Sequence, residues 1–151
     1  MKMPEPLFVV INPVMKALLA SPLHGVVSDS IMTVTFTGRR SGKSYSTPVR
    51  YQRSGDVIRC FSTSDTQWWR NLRDGAKARL RIAGKEREYR TSVIENDPEQ
   101  IRDCLREYFA EYPQDAAYHD VQLNPDKTPV EADLETASQH AIVVEARLPD
   151  A

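Results

Sequence analysis

The chain has 151 residues, of which 40% are hydrophobic and 27% are charged, a composition typical of an ordinary globular protein. Its 20 basic and 21 acidic side chains give a formal net charge of −1, which argues against a general nucleic-acid-binding protein. The two cysteines, Cys60 and Cys104, form no CxxC unit, so we expect reduced thiols. A chain of this length is most simply one domain, residues 1–151.

The apolar N-terminal segment is interrupted by prolines. Four of them fall within the first 22 residues, and no apolar run approaches the roughly 20 residues that span a bilayer. The uninterrupted apolar core of a signal peptide is not evident either. We therefore expect a cytoplasmic protein without stable membrane insertion. Within this segment, Asn12 and Pro13 are typical of a helix start, and Pro22 limits that helix.

Patterns typical of β-strands alternate with turn signals from residue 30 onward. "SIMTVTFTG" is rich in β-branched residues, and "STPVRYQ" and "DVIRCFS" flank the turn "RSGD", which predicts a hairpin over residues 47–62. The alternation in "ARLRI" predicts a second hairpin that pivots on Gly84, with Ala78, Leu80 and Ile82 on one face. "HAIVVEARL" supplies a last strand, which brings the total to about six.

Helical spacing appears in two further places. "DTQWWRNLRDG" predicts a short helix at 66–73, capped by Ser64 or Asp65. "NDPEQIRDCLREYFAEYPQD" predicts a helix at 98–112 with Asp97 as its cap, and a helical turn is expected near residues 130–137. Short strands at close spacing favour an α+β, mainly β fold in which antiparallel strands form a barrel.

The sequence shows no pattern typical of a metal site or a nucleophile. The three histidines stand far apart, without HxH or HExxH spacing, so we expect no metal. There is no GxSxG motif, and neither cysteine has an activating neighbour in the sequence.

The turn "GRRSGK" is a candidate anion site. Gly38 and Gly42 permit backbone angles that expose successive amides, and such a nest binds anions. Arginine side chains in the turn suit phosphate or carboxylate. The alternative is a solubilising turn between two strands, and the turn alone favours neither interpretation.

The segment "CFSTSDTQWWRNL" strengthens the first interpretation. A strand that delivers Ser62, Thr63 and Ser64 to a helix start would offer hydroxyl and amide donors to an anion. Trp68 and Trp69 point about 100° apart on a helix, so we expect one in the core and the other beside a pocket, where it could stack on a flat ring.

Together, "TGRRSGKSYSTPVRY", "GDVIRCFS" and "WWRNL" resemble the deazaflavin (F420)-dependent nitroreductase and quinone reductase family over residues 11–94. The family shows a T-G-R-x-S-G-x-x-R-x-x-P-[LV] turn and a later W-[YW]-x-N-L helix. The resemblance implies a six-stranded split β-barrel, related to flavin-binding pyridoxamine-phosphate-oxidase-like proteins, with an N-terminal helix. It also implies an oxidoreductase that passes a hydride from coenzyme F420, or alternatively uses FMN, to a quinone, nitroaromatic or enone.

The resemblance implies a cofactor site with two parts. The basic turn would hold the phosphate-bearing tail, and the strand end and helix that follow would lie near the ring. Two departures stand out: Tyr45 occupies a position where the family often has arginine, and the loop before the helix is shortened to "STSDTQ". The residues implied in cofactor binding are Arg39, Arg40, Ser41, Gly42, Lys43, Pro48, Ser62, Thr63, Ser64, Trp68, Trp69 and Asn71.

The substrate side is less well defined by the sequence. Tyr108, Tyr112 and Tyr118 are candidates if helix 98–112 packs over the barrel mouth; otherwise Tyr108 and Tyr112 belong only to its apolar stripe. Two other functions stay open. One is a non-catalytic split-barrel protein that binds FMN, haem, a lipid or another small ligand, and the other is a domain whose basic turn meets an acidic protein surface. A homodimer is compatible with the fold, although no residue requires one.

Overall fold

The computed structural model describes residues 31–149, and the predicted N-terminal helix lies outside that range. The strands of the described part are β1 (Ile31–Thr37), β2 (Ser44–Arg50), β3 (Gln52–Ser54), β4 (Val57–Thr63), β5 (Ala76–Ile82), β6 (Lys85–Ile94) and β7 (Ala141–Arg147). Its helices are α1 (Pro98–Glu111), α2 (Glu131–Ser138) and two 3-10 helices, Trp68–Leu72 and Pro113–His119.

The strands form one antiparallel sheet in the order β2-β1-β5-β6-β7-β4-β3. Its two edge strands, β2 and β3, follow each other in the chain and are separated only by Tyr51. The sheet therefore curls so that its two edge strands adjoin at Tyr51 without pairing with each other, as in a half-open barrel. The mainly β, antiparallel architecture expected from the sequence is confirmed at this level.

The predicted number of strands was wrong, because one expected strand is divided at Tyr51. Residues 44–50 pair with β1, from Thr37↔Ser44 to Ile31↔Arg50, and only Gln52–Ser54 pairs with β4. The predicted hairpin over 47–62 is therefore limited to its second half. "VRYQRS" contains no glycine or proline, the usual signals of such a break.

The second predicted hairpin is confirmed. β5 and β6 pair from Ala76↔Thr91 to Ile82↔Lys85, and two residues connect them. Both connecting residues have positive φ, 52° at Ala83 and 80° at Gly84, as in a type I′ turn. Ala78, Leu80 and Ile82 are buried on one face of β5, as their alternation predicts.

Two apolar clusters lie on opposite faces of the sheet. The inner cluster fills the curl and includes Met32, Trp69, Leu80 and Val144. The outer cluster holds the helices against the sheet through Ile101, Leu105, Tyr108, Phe109, Leu134 and Val143. β7 supplies neighbouring residues to both clusters, so it is buried on both faces.

Helix α1 follows its sequence signals closely. The Asp97 side chain accepts a hydrogen bond from the Gln100 amide at 3.2 Å, and Pro98 occupies the first turn. The helix ends at Glu111, one residue before the predicted boundary. The helical turn expected near 130–137 is confirmed as α2. Within residues 31–149, no helix has the length and apolar character needed to cross a bilayer.

The short helix predicted at 66–73 is a 3-10 helix over Trp68–Leu72, and its predicted caps were wrong. Gln67 precedes it without a capping side chain, whereas the Ser64 amide donates to the carbonyl of His140 at 2.8 Å. The 3-10 helix Pro113–His119 was not predicted, because Pro113 indicated only the end of α1.

Candidate functional site

The basic turn and the 3-10 helix Trp68–Leu72 are joined by Asn71. The side-chain oxygen of Asn71 accepts a hydrogen bond from the Arg39 amide at 2.8 Å and a longer one from its guanidinium at 3.4 Å. The Asn71 amide group donates to the carbonyl of Trp68 at 2.9 Å. Two motifs that lie 32 residues apart in the sequence therefore form one structural unit.

Internal hydrogen bonds close the basic turn. The Gly38 amide donates to the Lys43 carbonyl at 2.8 Å, and the Gly42 amide donates to the Gly38 carbonyl at 2.9 Å. The Lys43 amide donates to the hydroxyl of Ser41 at 3.2 Å. The amides of Gly38, Arg39, Gly42 and Lys43 are therefore engaged by the protein itself. Those of Arg40 and Ser41 have no hydrogen-bond partner within residues 31–149, so an anion at this turn would meet two amides together with the side chains.

Three cationic side chains project from this closed turn. Arg39, Arg40 and Lys43 are all exposed, and none forms an ion pair with another residue of the described range. Most other arginines near the sheet behave differently, since Arg59, Arg73 and Arg81 each contact a glutamate. Three unpaired cations on a rigid turn produce a local positive potential that suits an anionic group.

A row of aromatic rings lies beside the turn. The ring of Tyr45 stacks on Phe36 with centroids 5.9 Å apart, and Phe36 contacts Trp68 at 6.3 Å. Tyr45 is 45% exposed, and its hydroxyl bonds to that of Ser41 at 3.0 Å. A Cβ at Gly38 would lie only 2.7 Å from the Tyr45 ring and 2.8 Å from the Ser41 hydroxyl, so another residue there would displace both side chains.

Phe36 is a residue that sequence reasoning missed. It lies in the inner cluster at 6% exposure and supports both Tyr45 and Trp68. The sequence signal was its place in the predicted strand, immediately before the turn. A cavity of about 260 Å³ adjoins this strand end, lined on its polar side by Thr37, Ser44, Lys77, Arg79 and Glu88.

The segment 62–67 is a compact turn in which the hydroxyls of Ser62, Thr63 and Thr66 are already engaged. Ser62 accepts a hydrogen bond from the indole of Trp68 at 3.0 Å and exchanges one with Thr66 at 2.8 Å. The Thr63 hydroxyl donates to Asp65, and the Thr63 carbonyl accepts from Thr66 and from the indole of Trp69. Ser62 and Thr63 therefore orient the two tryptophans in this structure.

The remaining predicted residues are more dispersed. Trp69 is 2% exposed and belongs to the inner cluster, whereas Trp68 is half-buried, so one tryptophan does anchor the core. Pro48 is buried within β2, opposite Thr33. Ser64 and Trp69 line a different cavity, which lies against α1.

The tyrosines proposed for the substrate side lie in or near the outer cluster. Tyr108 stacks on Phe61 at 4.3 Å, and its hydroxyl donates to Asp115. Burial and the nearby Asp115 carboxylate raise the pKa of Tyr108. Tyr118 contacts His119 edge to face at 5.2 Å.

The guanidinium of Arg50 contacts residues of this outer region and not those of the basic turn. Its Nε contacts Asp115 at 2.6 Å, and the guanidinium carbon lies 4.9 Å from the centroid of the Tyr112 ring. Burial and then Glu111 raise the pKa of Tyr112. Arg50 therefore does not replace the cation that Tyr45 displaces.

Comparisons with known proteins agree with the motifs. A family model described as F420H2-dependent quinone reductase matches residues 17–134. No curated protein matches the chain.

Several solved structures share the architecture. One described as a domain-swapped dimer aligns over 93% of this chain and 98% of its own, with 17% identity and a TM-score of 0.53. A protein of unknown function from Agrobacterium tumefaciens str. C58 aligns over 89% of this chain and 57% of its own, with 16% identity and a TM-score of 0.54. A structure described as an F420 reductase aligns over 89% and 93%, with 16% identity and a TM-score of 0.46. The first two show that the fold is shared.

Proposed function

The chain belongs to the F420H2-dependent quinone reductase family, and from that premise we propose that it is an F420-dependent reductase acting on a small acceptor. The proposed acceptors are quinones, nitroaromatics or enones, and FMN is the alternative cofactor. The basic turn would hold the anionic tail of the coenzyme, and the aromatic row beside it would contact the ring.

One observation supports this proposal most directly, the hydrogen bond between Asn71 and the amide of Arg39. It fixes the unpaired cations of the turn next to the helix that carries Trp68. An anionic tail and a flat ring are chemically different parts of one ligand, and the site offers a matching surface for each. The side chains present therefore fit a phosphate-bearing ring cofactor.

When bound, the reduced coenzyme supplies the hydride. The residues of the chain have three other tasks. Arg39, Arg40 and Lys43 bind the negative charge of the tail through charge-assisted hydrogen bonds. The hydroxyls of Ser41 and Tyr45 are bonded to each other, and whichever accepts that bond can donate its own proton to the same anion. Phe36 and Trp68 limit where a ring can lie, which orients it for the reaction.

Binding and turnover test the proposal separately. Coenzyme F420 and FMN are each titrated into the protein, and tryptophan fluorescence is followed. We expect saturable quenching by F420. Combining Arg39→Ala with Arg40→Ala should weaken F420 binding by about tenfold or more, because two charge-assisted contacts are lost. Oxidation of reduced F420 in the presence of a naphthoquinone then measures the reaction.

A matched variant controls for the loss of two positive charges. Lys85→Ala with Arg87→Ala removes two exposed cations from the β5–β6 hairpin. This variant should bind F420 nearly as tightly as the unmodified protein. Equal weakening in both double variants would indicate a diffuse electrostatic effect and contradict the turn as the binding site. Failure of both cofactors to quench would contradict the reductase and favour a non-catalytic binding protein.

A further inference from the structure

A second cavity, of about 400 Å³, lies away from the basic turn. The 3-10 helix Trp68–Leu72 forms one wall, and the segments before α1 and after α2 form the others. Its volume lies in the range of small-molecule sites. Its apolar wall is the partly exposed Pro98 together with the edges of four buried residues, each 4% exposed or less: Trp69, Ile101, Ala141 and Ile142.

Arg70 is the cation of this cavity. Its guanidinium carbon lies 4.7 Å from the centroid of the Trp69 ring, which holds the group in one orientation. The Arg70 Nε is buried and has no hydrogen-bond partner. Among residues 31–149, no carboxylate forms an ion pair with Arg70. A buried donor without an acceptor is costly, and a bound anion would satisfy it.

Glu95 also lines the cavity but is committed to another residue. Both of its oxygens accept hydrogen bonds from Arg73, at 2.7 and 2.8 Å. The bond to Arg73 is the main cause of the lowered pKa of Glu95. Arg70 also lowers the pKa of Glu95, but only Arg73 is paired with that carboxylate, so one of the two positive charges is left over.

Neutral hydrogen-bonding groups surround this leftover charge. Ser64, Asn96 and Gln139 are exposed and line the cavity, and within the described part of the chain their side chains have no hydrogen-bond partner. The Ser138 hydroxyl, in contrast, donates to the carbonyl of Glu135 at 2.6 Å. The cavity thus combines one unpaired cation, several free polar groups and an apolar wall.

We propose that this cavity binds a small organic monocarboxylate, with its carboxylate on Arg70 and its apolar body against the partly exposed Pro98. An unpaired guanidinium matches the carboxylate in charge and planar geometry. The apolar wall distinguishes an organic acid from an inorganic anion. The site lies apart from the basic turn and shares only Ser64 and Trp69 with the residues implied in cofactor binding.

Benzoate, benzamide and inorganic phosphate are the probes, each titrated by calorimetry into the full chain without cofactor. We expect benzoate to bind. Benzamide has the same ring without the charge, and its affinity should be lower by about tenfold or more. Phosphate should bind more weakly than benzoate, because it gains nothing from the apolar wall. Absence of benzoate binding, or equal binding of benzoate and benzamide, would overturn the proposal.

Two variants locate the site, and both are first checked for folding by thermal unfolding. Arg70→Gln should weaken benzoate binding about tenfold or more. Gln139→Glu changes only an exposed side chain and places a negative charge at the rim, so it should also weaken benzoate binding while leaving benzamide unaffected. Arg87→Gln is the charge-matched control and should bind benzoate normally. Unchanged affinity in Arg70→Gln or Gln139→Glu would refute this location.

Discussion

Asn71 links two distant motifs through both ends of one side-chain amide. Its oxygen accepts from Arg39 and its nitrogen donates to the Trp68 carbonyl. We expect Asn71→Ala to lower the free energy of unfolding by about 1–2 kcal/mol, because two hydrogen bonds are lost at a half-buried position. Chemical denaturation measures this change.

The variant Asn71→Asp separates the two roles of the side chain. A carboxylate still accepts from the Arg39 amide but cannot donate to Trp68. It should be more stable than Asn71→Ala, yet it should bind F420 less tightly than the unmodified protein, because it adds a negative charge beside the basic turn. Equal stability of the two variants would mean that the Arg39 contact contributes nothing.

Burial of a thiol predicts a pH dependence. Burial raises the pKa of Cys60 to about 12, well above its value in an unfolded chain. The folded state then retains a proton that the unfolded state loses, so the stabilisation is complete below about pH 8.5 and declines as pH rises. The slope due to Cys60 should reach about 1.4 kcal/mol per pH unit above about pH 9.

Cys60→Ala isolates this effect from the lysines and tyrosines that titrate in the same range. The free energy of unfolding is measured between pH 8 and about pH 10.5 in both proteins. The variant should be less stable at pH 8, because a buried side chain is shortened, but it should lose stability less steeply. Parallel slopes would contradict a neutral, buried thiol.

Among the secondary-structure elements, the β5–β6 turn contains a residue poorly suited to its backbone. Ala83 has φ of 52°, a left-handed conformation that asparagine adopts more readily. Ala83→Asn should therefore raise the free energy of unfolding by about 0.5–1 kcal/mol. The same change at exposed Ala110 within α1 should instead lower it by about 0.6 kcal/mol, because asparagine is a poorer helix former. A destabilised Ala83→Asn protein would contradict the I′ geometry.

Local patterns predicted most elements, and contacts between distant residues account for what was missed. Alternation in "ARLRI" and the cap at Asp97 depend on neighbours, and both were predicted correctly. The break at Tyr51 arises because the residues before it pair with β1 and those after it pair with β4, and no local sequence pattern indicates this change of partner. The same limit applies at the site. The sequence indicated the cations of the turn, but neither the Asn71 bond nor the pairing of Arg50 with Asp115 has a local signature.

At the scale of the whole molecule, β7 makes the two apolar clusters interdependent. Val143 is fully buried in the outer cluster, and Val144 is buried in the inner one. We therefore expect a single cooperative unfolding transition, as the prediction of one domain requires. Val143→Ala and Val144→Ala should each lower stability by about 2 kcal/mol and shift that same transition. Calorimetry that resolved two transitions, each sensitive to one variant, would show two separate units.

The break at Tyr51 also has a kinetic consequence. β3 contributes three residue pairs to the sheet, whereas β5 and β6 share seven, so the seam at Gln52–Ser54 should open far more often than the rest. Amide hydrogens there should exchange fastest among the strands. The basic turn enters the other end of the same segment at Ser44. A coenzyme that stiffens the turn would slow amide exchange at Gln52–Ser54, which it does not contact. Binding at one end of this segment would then stabilise the strand pairing at its other end.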